Sequence, residues 1–173
     1  TLKGHEDSVI SVVFSPDGQQ LATASTDNTA RVWDAATDKL LNTLKGHEDW
    51  VMSVVFSPDG KQLATASTDN TARVWDAATG NLSHTLKGHE DSVISVVFSP
   101  NGKQLATASI DKTARVWDAA TGKLLHTLKG HEDSVISVVF SPDGKQLATA
   151  SIDKTARVWD AATGKLLHTL KGH

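Results

Sequence analysis

The sequence predicts an all-β protein made of four copies of one small antiparallel sheet. Three observations lead to this prediction. The 173 residues repeat with a period of 42, with five residues left over. Each repeat holds four short extended segments separated by turn residues, with no room for a long helix. The composition, 39% apolar and 21% charged, is that of a globular domain.

The repeats are nearly identical. Ten of the 42 positions vary, and the third and fourth repeats differ only at Asn101 against Asp143. Such uniformity indicates recent amplification or engineering, and we interpret residues 1–173 as one structural unit. The repeats cover 1–42, 43–84, 85–126 and 127–168, and residues 169–173 repeat the opening Thr-Leu-Lys-Gly-His.

The first strand of the first repeat is predicted at Ser8–Phe14, which is rich in β-branched residues. The Ser-Pro-Asp-Gly sequence after it is typical of a turn. Strict alternation would place Val9 and Val13 on one face, and Ile10, Val12 and Phe14 on the other. Because both faces are apolar, the strand is expected to lie between two neighbouring sheets.

Three further strands follow in the same repeat. Gln20–Ser25 and Thr29–Trp33 are separated by three residues, which indicates a tight hairpin. Residues 34–38 are too few for a stable helix and are predicted to form a loop into a fourth strand, Leu40–Leu44.

A period of 42 residues is the length of one four-stranded β-propeller blade. Gly-His opens every repeat, a short Ser/Thr-containing strand and a turn Asp follow, and Trp-Asp closes it. This pattern resembles the WD40 repeat family along the whole chain. The resemblance implies a β-propeller that acts as a rigid platform for protein partners, and it implies no enzymatic activity.

The resemblance also implies a structural hydrogen-bond relay in each repeat. The Trp indole donates to the strand Thr, the Thr bonds the His, and the turn Asp holds the His. The four predicted tetrads are His5, Thr23, Asp27 and Trp33; His47, Thr65, Asp69 and Trp75; His89, Thr107, Asp111 and Trp117; and His131, Thr149, Asp153 and Trp159.

Two chemical alternatives use the same residue types. His, Thr and Asp together could form a nucleophilic triad, but active sites are normally single and this set occurs four times. The histidines at 84, 126 and 168 could in principle bind zinc. Equivalent atoms of consecutive blades are too far apart for bonds of about 2 Å, so we expect no metal, no cofactor and solvated side chains.

Every repeat also has a Glu-Asp pair directly after Gly-His, beginning with Glu6 and Asp7. In a closed ring these pairs would surround one rim of the channel and could attract a cation or a basic peptide. The simpler interpretation is a solvated loop, screened by the lysine a few residues upstream.

Two of the variable positions resemble the interaction positions that WD40 propellers have on their top face, and they are candidates for a partner site. Ser8 is replaced by Trp50 in the second repeat, and the position before the turn Asp is Thr26, Thr68, Ile110 or Ile152. An exposed Trp beside apolar side chains is the kind of anchor on which interface energy concentrates. Random drift among so few differences would give the same pattern.

The composition excludes other classes. Seventeen basic against 20 acidic residues give a net charge of −3, so we expect neither nucleic acid nor membrane as a partner. The chain lacks cysteine, which fits the cytoplasm, and we expect no signal peptide and no membrane span.

Blade geometry predicts the assembly. Closing a ring requires wedges of about 51° for seven blades, 45° for eight and 90° for four. Four ordinary blades therefore cover half a ring and leave an apolar face at each end. Two chains joined head to tail complete eight blades, whereas three chains would require wedges of about 30°. We predict a homodimer in which His5 and His173 compete for the tetrad at each seam, with His5 favoured.

Two functions remain at this stage. The first is a self-assembling propeller building block without evolved catalysis. The second is a scaffold that binds a protein or peptide on its top face.

Overall fold

The computed structural model of the chain describes residues 2–172. These residues form four antiparallel sheets of four strands each, and within every sheet the strands lie side by side in sequence order. Each sheet is one blade, so the predicted fold of repeated four-stranded blades is confirmed. Blade 1 contains β1 (Val9–Phe14), β2 (Gln20–Ser25), β3 (Ala30–Asp34) and β4 (Leu40–Leu44).

The other three blades repeat this layout. Blade 2 contains β5 (Val51–Phe56), β6 (Gln62–Ser67), β7 (Ala72–Asp76) and β8 (Leu82–Leu86). Blade 3 contains β9 (Val93–Phe98), β10 (Gln104–Ser109), β11 (Ala114–Asp118) and β12 (Leu124–Leu128). Blade 4 contains β13 (Val135–Phe140), β14 (Gln146–Ser151), β15 (Ala156–Asp160) and β16 (Leu166–Leu170). The strand bounds differ from the prediction by one residue at β1 and at both ends of β3.

The predicted faces of the first strand were wrong at its start. The register of β1 against β2 shifts between Val9 and Ser11, and this β-bulge resets the alternation of side chains. In blade 2, the equivalents of Val9, Val12 and Phe14 consequently lie in one cluster facing blade 1. Val13 packs from the opposite side, against the junction with the following blade.

The core lies between blades. Each of three clusters joins a trailing face, which is the side of a blade toward the next one, to the leading face of that next blade. The trailing face of blade 1 contributes Ala22, Ala24, Ala30, Val32 and Leu44, and the leading face of blade 2 contributes Val51, Val54, Phe56, Leu63, Trp75 and Ala77. Small alanines on one side admit the large side chains of the other, which gives the close packing of a protein interior.

The two outermost faces are open. On the leading face of blade 1, Val12 is 63% and Phe14 is 62% exposed, whereas their equivalents Val54 and Phe56 are 1% and 9% exposed. Leu170 on the trailing face of blade 4 is also exposed. Both faces expose residue types that are buried at the junctions between blades.

Within residues 2–172, the structure contains no helix with the length and apolar character that crossing a bilayer requires.

Candidate functional site

The tetrad side chains meet inside each blade. In blade 2, His47 Nδ1 lies 2.7 Å from Asp69 Oδ2, and His47 Nε2 lies 2.7 Å from Thr65 Oγ1. Trp75 Nε1 donates to the same Thr65 oxygen at 2.9 Å. These contacts tie the segment before the first strand to the second and third strands of the blade.

The bonding partners determine the proton positions. An ionised carboxylate only accepts, so the ring nitrogen facing Asp69 carries a proton. The Thr65 hydroxyl oxygen accepts a hydrogen bond from the Trp75 indole N–H, and the Thr65 hydroxyl donates a hydrogen bond to His47 Nε2. A neutral imidazole therefore satisfies every member, and no buried polar group of the relay is left unpaired.

The carboxylate of the tetrad is held in its ionised form. Burial raises the pKa of Asp69, but hydrogen bonds from the His47 ring, the Thr71 hydroxyl and the Glu48 backbone outweigh burial and hold the pKa well below its ordinary value. The pKa is lowered in the same way at Asp27, Asp111 and Asp153.

All four blades contain the same network. In blade 1, which has no preceding blade in the described chain, His5 contacts Asp27 at 2.8 Å and Thr23 at 2.7 Å, and Trp33 donates to Thr23 at 2.9 Å. The networks of blades 3 and 4 join His89, Thr107, Asp111 and Trp117, and His131, Thr149, Asp153 and Trp159. His173, the competing histidine, lies outside the described residues.

The burial of the tetrad threonines disfavours a nucleophilic role, because a substrate cannot reach their hydroxyl groups. Thr65 and Thr107 are fully buried, and an indole N–H already occupies a lone pair of each hydroxyl oxygen. The blade 1 tetrad borders an open cavity of about 600 Å³ that Val9 and Val12 also line. That cavity is the space that a preceding blade fills in the other three copies.

The predicted partner residues occupy equivalent positions on separate blades. Trp50 is 51% exposed, Ile110 and Ile152 are also exposed, and Thr26 and Thr68 are half-buried. The Thr68 backbone N–H donates to the Trp50 carbonyl at 3.0 Å, so the direct neighbour of Trp50 in its own blade is a threonine. The two isoleucines belong to the following blades.

The acidic pairs are exposed, and each Asp has a local structural partner. Asp7 accepts the Ser8 backbone N–H at 2.7 Å, and the Glu6 backbone N–H donates to the tetrad carboxylate of Asp27. Among residues 2–172 no cluster of three or more His, Asp or Glu side chains has the spacing of a metal site. This geometry is that of a solvated loop with capped backbone groups.

The prediction of solvated histidines was wrong for His84 and His126. His84 Nε2 donates to the Ala120 carbonyl of the next blade at 2.8 Å, and His126 does the same to Ala162. Asn42 makes longer bonds of 3.3 Å to two carbonyls of blade 2. No blade follows His168 within the described residues, and its side chain is exposed. The 42-residue spacing of the three histidines was visible in the sequence. The carbonyl partners of His84 and His126 were not, because those carbonyls belong to the next blade.

Sequence reasoning also missed an arginine. Arg73 lies on β7, and its guanidinium occupies the space that a Cβ on Gly46 would require. Gly46 has a φ of 147°, which also favours glycine. The Gly of each Gly-His pair therefore makes room for an arginine of its own blade, and the equivalent arginines are Arg31, Arg115 and Arg157.

Radial four-stranded blades, each containing the His, Thr, Asp and Trp network, define a WD40-repeat β-propeller protein. Residues 2–171 match the family described as the second β-propeller of echinoderm microtubule-associated protein, and the chain belongs to that family.

Similarity to curated proteins extends over about one repeat. The Notchless protein homologue of Arabidopsis thaliana is 51% identical over 43 residues, which is 25% of this chain and 9% of that protein. Vegetative incompatibility protein HET-E-1 of Podospora anserina is 54% identical over 37 residues, 21% of this chain and 3% of that protein. Protein Mut11 of Chlamydomonas reinhardtii is 52% identical over 42 residues, which is 24% of this chain and 11% of that protein. The matched segments are thus a small part of these longer relatives.

Proposed function

We propose that this chain is a propeller building block that pairs with a second copy to close an eight-bladed ring. The observation that carries the proposal is the exposure of Val12 and Phe14. The valine equivalents are buried at every interior junction, and the phenylalanine equivalents are buried or partly buried there. Exposed apolar patches are a common feature of protein interaction sites.

The second copy is favoured as the occupant because it carries the complementary face. The trailing face of blade 4 has the same sequence as that of blade 3, and the latter already holds the leading face of blade 4 through Leu128, Val135 and Val138. A head-to-tail contact between copies therefore reuses an interface that the chain builds internally, and two such contacts close a ring.

Solution mass tests the ring. A polypeptide of these 173 residues is expected to form a dimer of about 37 kDa, twice the chain mass of 18.4 kDa. Phe14→Asp is expected to give the monomer, because it places a charge in the seam. Leu125→Asp is the matched control, since Leu125 is 39% exposed on the outer strand of an interior blade. A monodisperse monomer or a trimer of the unmodified chain would contradict the proposal.

A second candidate function is a scaffold that binds a protein on the top face. The exposed Trp50 favours it, and WD40 propellers commonly act as protein-interaction platforms. The family description names a microtubule-associated protein, which makes microtubules the first partner to test. Cosedimentation that is abolished in Trp50→Ser and kept in Leu125→Asp would support this function, and equal pelleting of both variants would oppose a site at Trp50.

We propose no catalytic role for the tetrads. Ester and peptide substrates are expected to remain uncleaved beyond the uncatalysed rate. Cleavage that disappears in Thr65→Val while the circular dichroism spectrum stays unchanged would contradict this proposal and support a catalytic triad.

A further inference from the structure

Two of the three interior junctions share a histidine contact at the outer edge of the blades. The fourth strand of one blade presents His84 or His126, and its Nε2 donates to a carbonyl in the loop after β11 or β15. The same loop contains a glycine, Gly122 or Gly164, directly against that histidine.

The close contact favours glycine at this loop position. A Cβ built on Gly122 would lie 3.1 Å from His84 Cβ, and one built on Gly164 would lie 3.0 Å from His126 Cβ. The same built atoms would lie 3.4 and 3.2 Å from the Nδ1 atoms of the two rings. A side chain at this loop position would therefore start beside Nδ1.

Blade 1 has an aspartate at this position. Asp38 has a φ of 61°, close to the 70° of Gly122, and its backbone N–H donates to Asp34 as that of Gly122 does to Asp118. The loop thus keeps the interior shape but carries a carboxylate. It belongs to the leading side of blade 1, where no preceding blade is present in the described chain.

We infer that at the ring seam Asp38 of one copy pairs with His168 of the second copy, while His168 Nε2 donates to the Ala36 carbonyl. His168 occupies the position of His84 and His126 on the last outer strand, β16. Because the seam joins two separate chains, β16 of one copy can shift against the other copy by the few tenths of an ångström that the Asp38 Cβ requires. The inference rests on the proposed ring.

The pair gives the seam a chemistry that the interior junctions lack. With Nε2 donating to a carbonyl and Nδ1 donating to a carboxylate, the His168 ring carries both protons and is cationic. The ion pair therefore distinguishes the contact of blade 4 with blade 1 from the contacts within a chain. It also favours contact between the trailing face of blade 4 and the leading face of blade 1 over other associations of apolar faces.

A double-mutant cycle on the dimer dissociation constant tests the pair. The variants are Asp38→Gly, which restores the interior loop, His168→Asn, which keeps a donor as Asn42 does, and the two combined. Each single variant is expected to weaken dimerisation about threefold per seam, hence about tenfold for a ring with two seams. The double variant should be no weaker than either single one, and the coupling should shrink in high salt.

The control is His84→Asn at an interior junction whose loop has glycine. It should leave the dimer dissociation constant unchanged in the presence or absence of Asp38→Gly. A dimer whose variants show no coupling, or one that Asp38→Gly tightens, overturns the pair and leaves the ring standing. An unmodified chain that stays monomeric at all concentrations overturns both.

Discussion

The leading face of blade 1 and the leading face of blade 2 share the residues Val, Val and Phe, yet one is open and the other is core. Phe14 and Phe56 end strands of the same sequence, except that Ile10 at the bulge of β1 is replaced by Met52 in β5. The difference in their burial comes entirely from the neighbouring blade. A blade of this protein is therefore incomplete by itself, and its stability depends on what covers its faces.

The sharpest way to break this comparison is to truncate the two phenylalanines separately. Phe56→Ala should lower the free energy of unfolding by about 3 to 5 kcal/mol, because it leaves a cavity between blades 1 and 2. Phe14→Ala should lower the free energy of unfolding by less than about 0.5 kcal/mol in the monomer, where the phenyl group of Phe14 is already exposed to water. Denaturant unfolding at concentrations below the dimer dissociation constant measures both, and equal losses would contradict the comparison.

Substitutions in the tetrads should cost the same in blade 1 as in an interior blade, because all members of a tetrad belong to one blade. Trp117→Phe removes the N–H donor to Thr107 and should cost about 1 to 2 kcal/mol. Trp33→Phe should cost the same in blade 1, because both indoles are 2% exposed. The double variant should show roughly additive losses in denaturation midpoint. A negligible loss in either variant would argue against the relay.

A smaller difference is expected at the outer edge of the blades. His126→Ala removes the bond to the Ala162 carbonyl and should lower the free energy of unfolding by about 1 kcal/mol. His168→Ala should leave the unfolding of the monomer unchanged, since His168 is exposed there. Thermal unfolding of the two variants side by side provides the measurement. A loss in His168→Ala equal to that in His126→Ala would mean that the bond across the junction contributes nothing.

The smallest effect concerns the turn after the first strand. Asn101 accepts the Ser99 hydroxyl and the Lys103 N–H through a neutral carbonyl, whereas hydrogen bonds from Ser141 and Lys145 lower the pKa of Asp143 in blade 4. Because a lowered folded pKa stabilises the fold above the unfolded pKa, Asn101→Asp should raise the melting temperature slightly at neutral pH. The gain should disappear as the pH falls below about 4. A gain that persists in acid would have another cause.

Much of the fold followed from the sequence. The period of 42 and the turn residues gave the number of blades and the order of their strands, because hairpin connections this short leave antiparallel neighbours as the only arrangement. The members of the tetrads were named from the family resemblance, and the structure brings them within hydrogen-bonding distance. The bulge at Val9 was not predicted, because strict alternation carries no signal for an extra residue.

The sequence by itself determined which residues form a blade, since local strand and turn preferences act over a few residues and repeat four times. Only the tertiary structure decided what those residues do between blades. His84 and Ala120 are 36 residues apart, and Arg73 contacts a glycine from the preceding connection, so neither pairing could be read from local spacing. The burial of Phe56 and the exposure of Phe14 were decided at the same level, because burial belongs to a pair of packed faces and the residue type alone does not specify it.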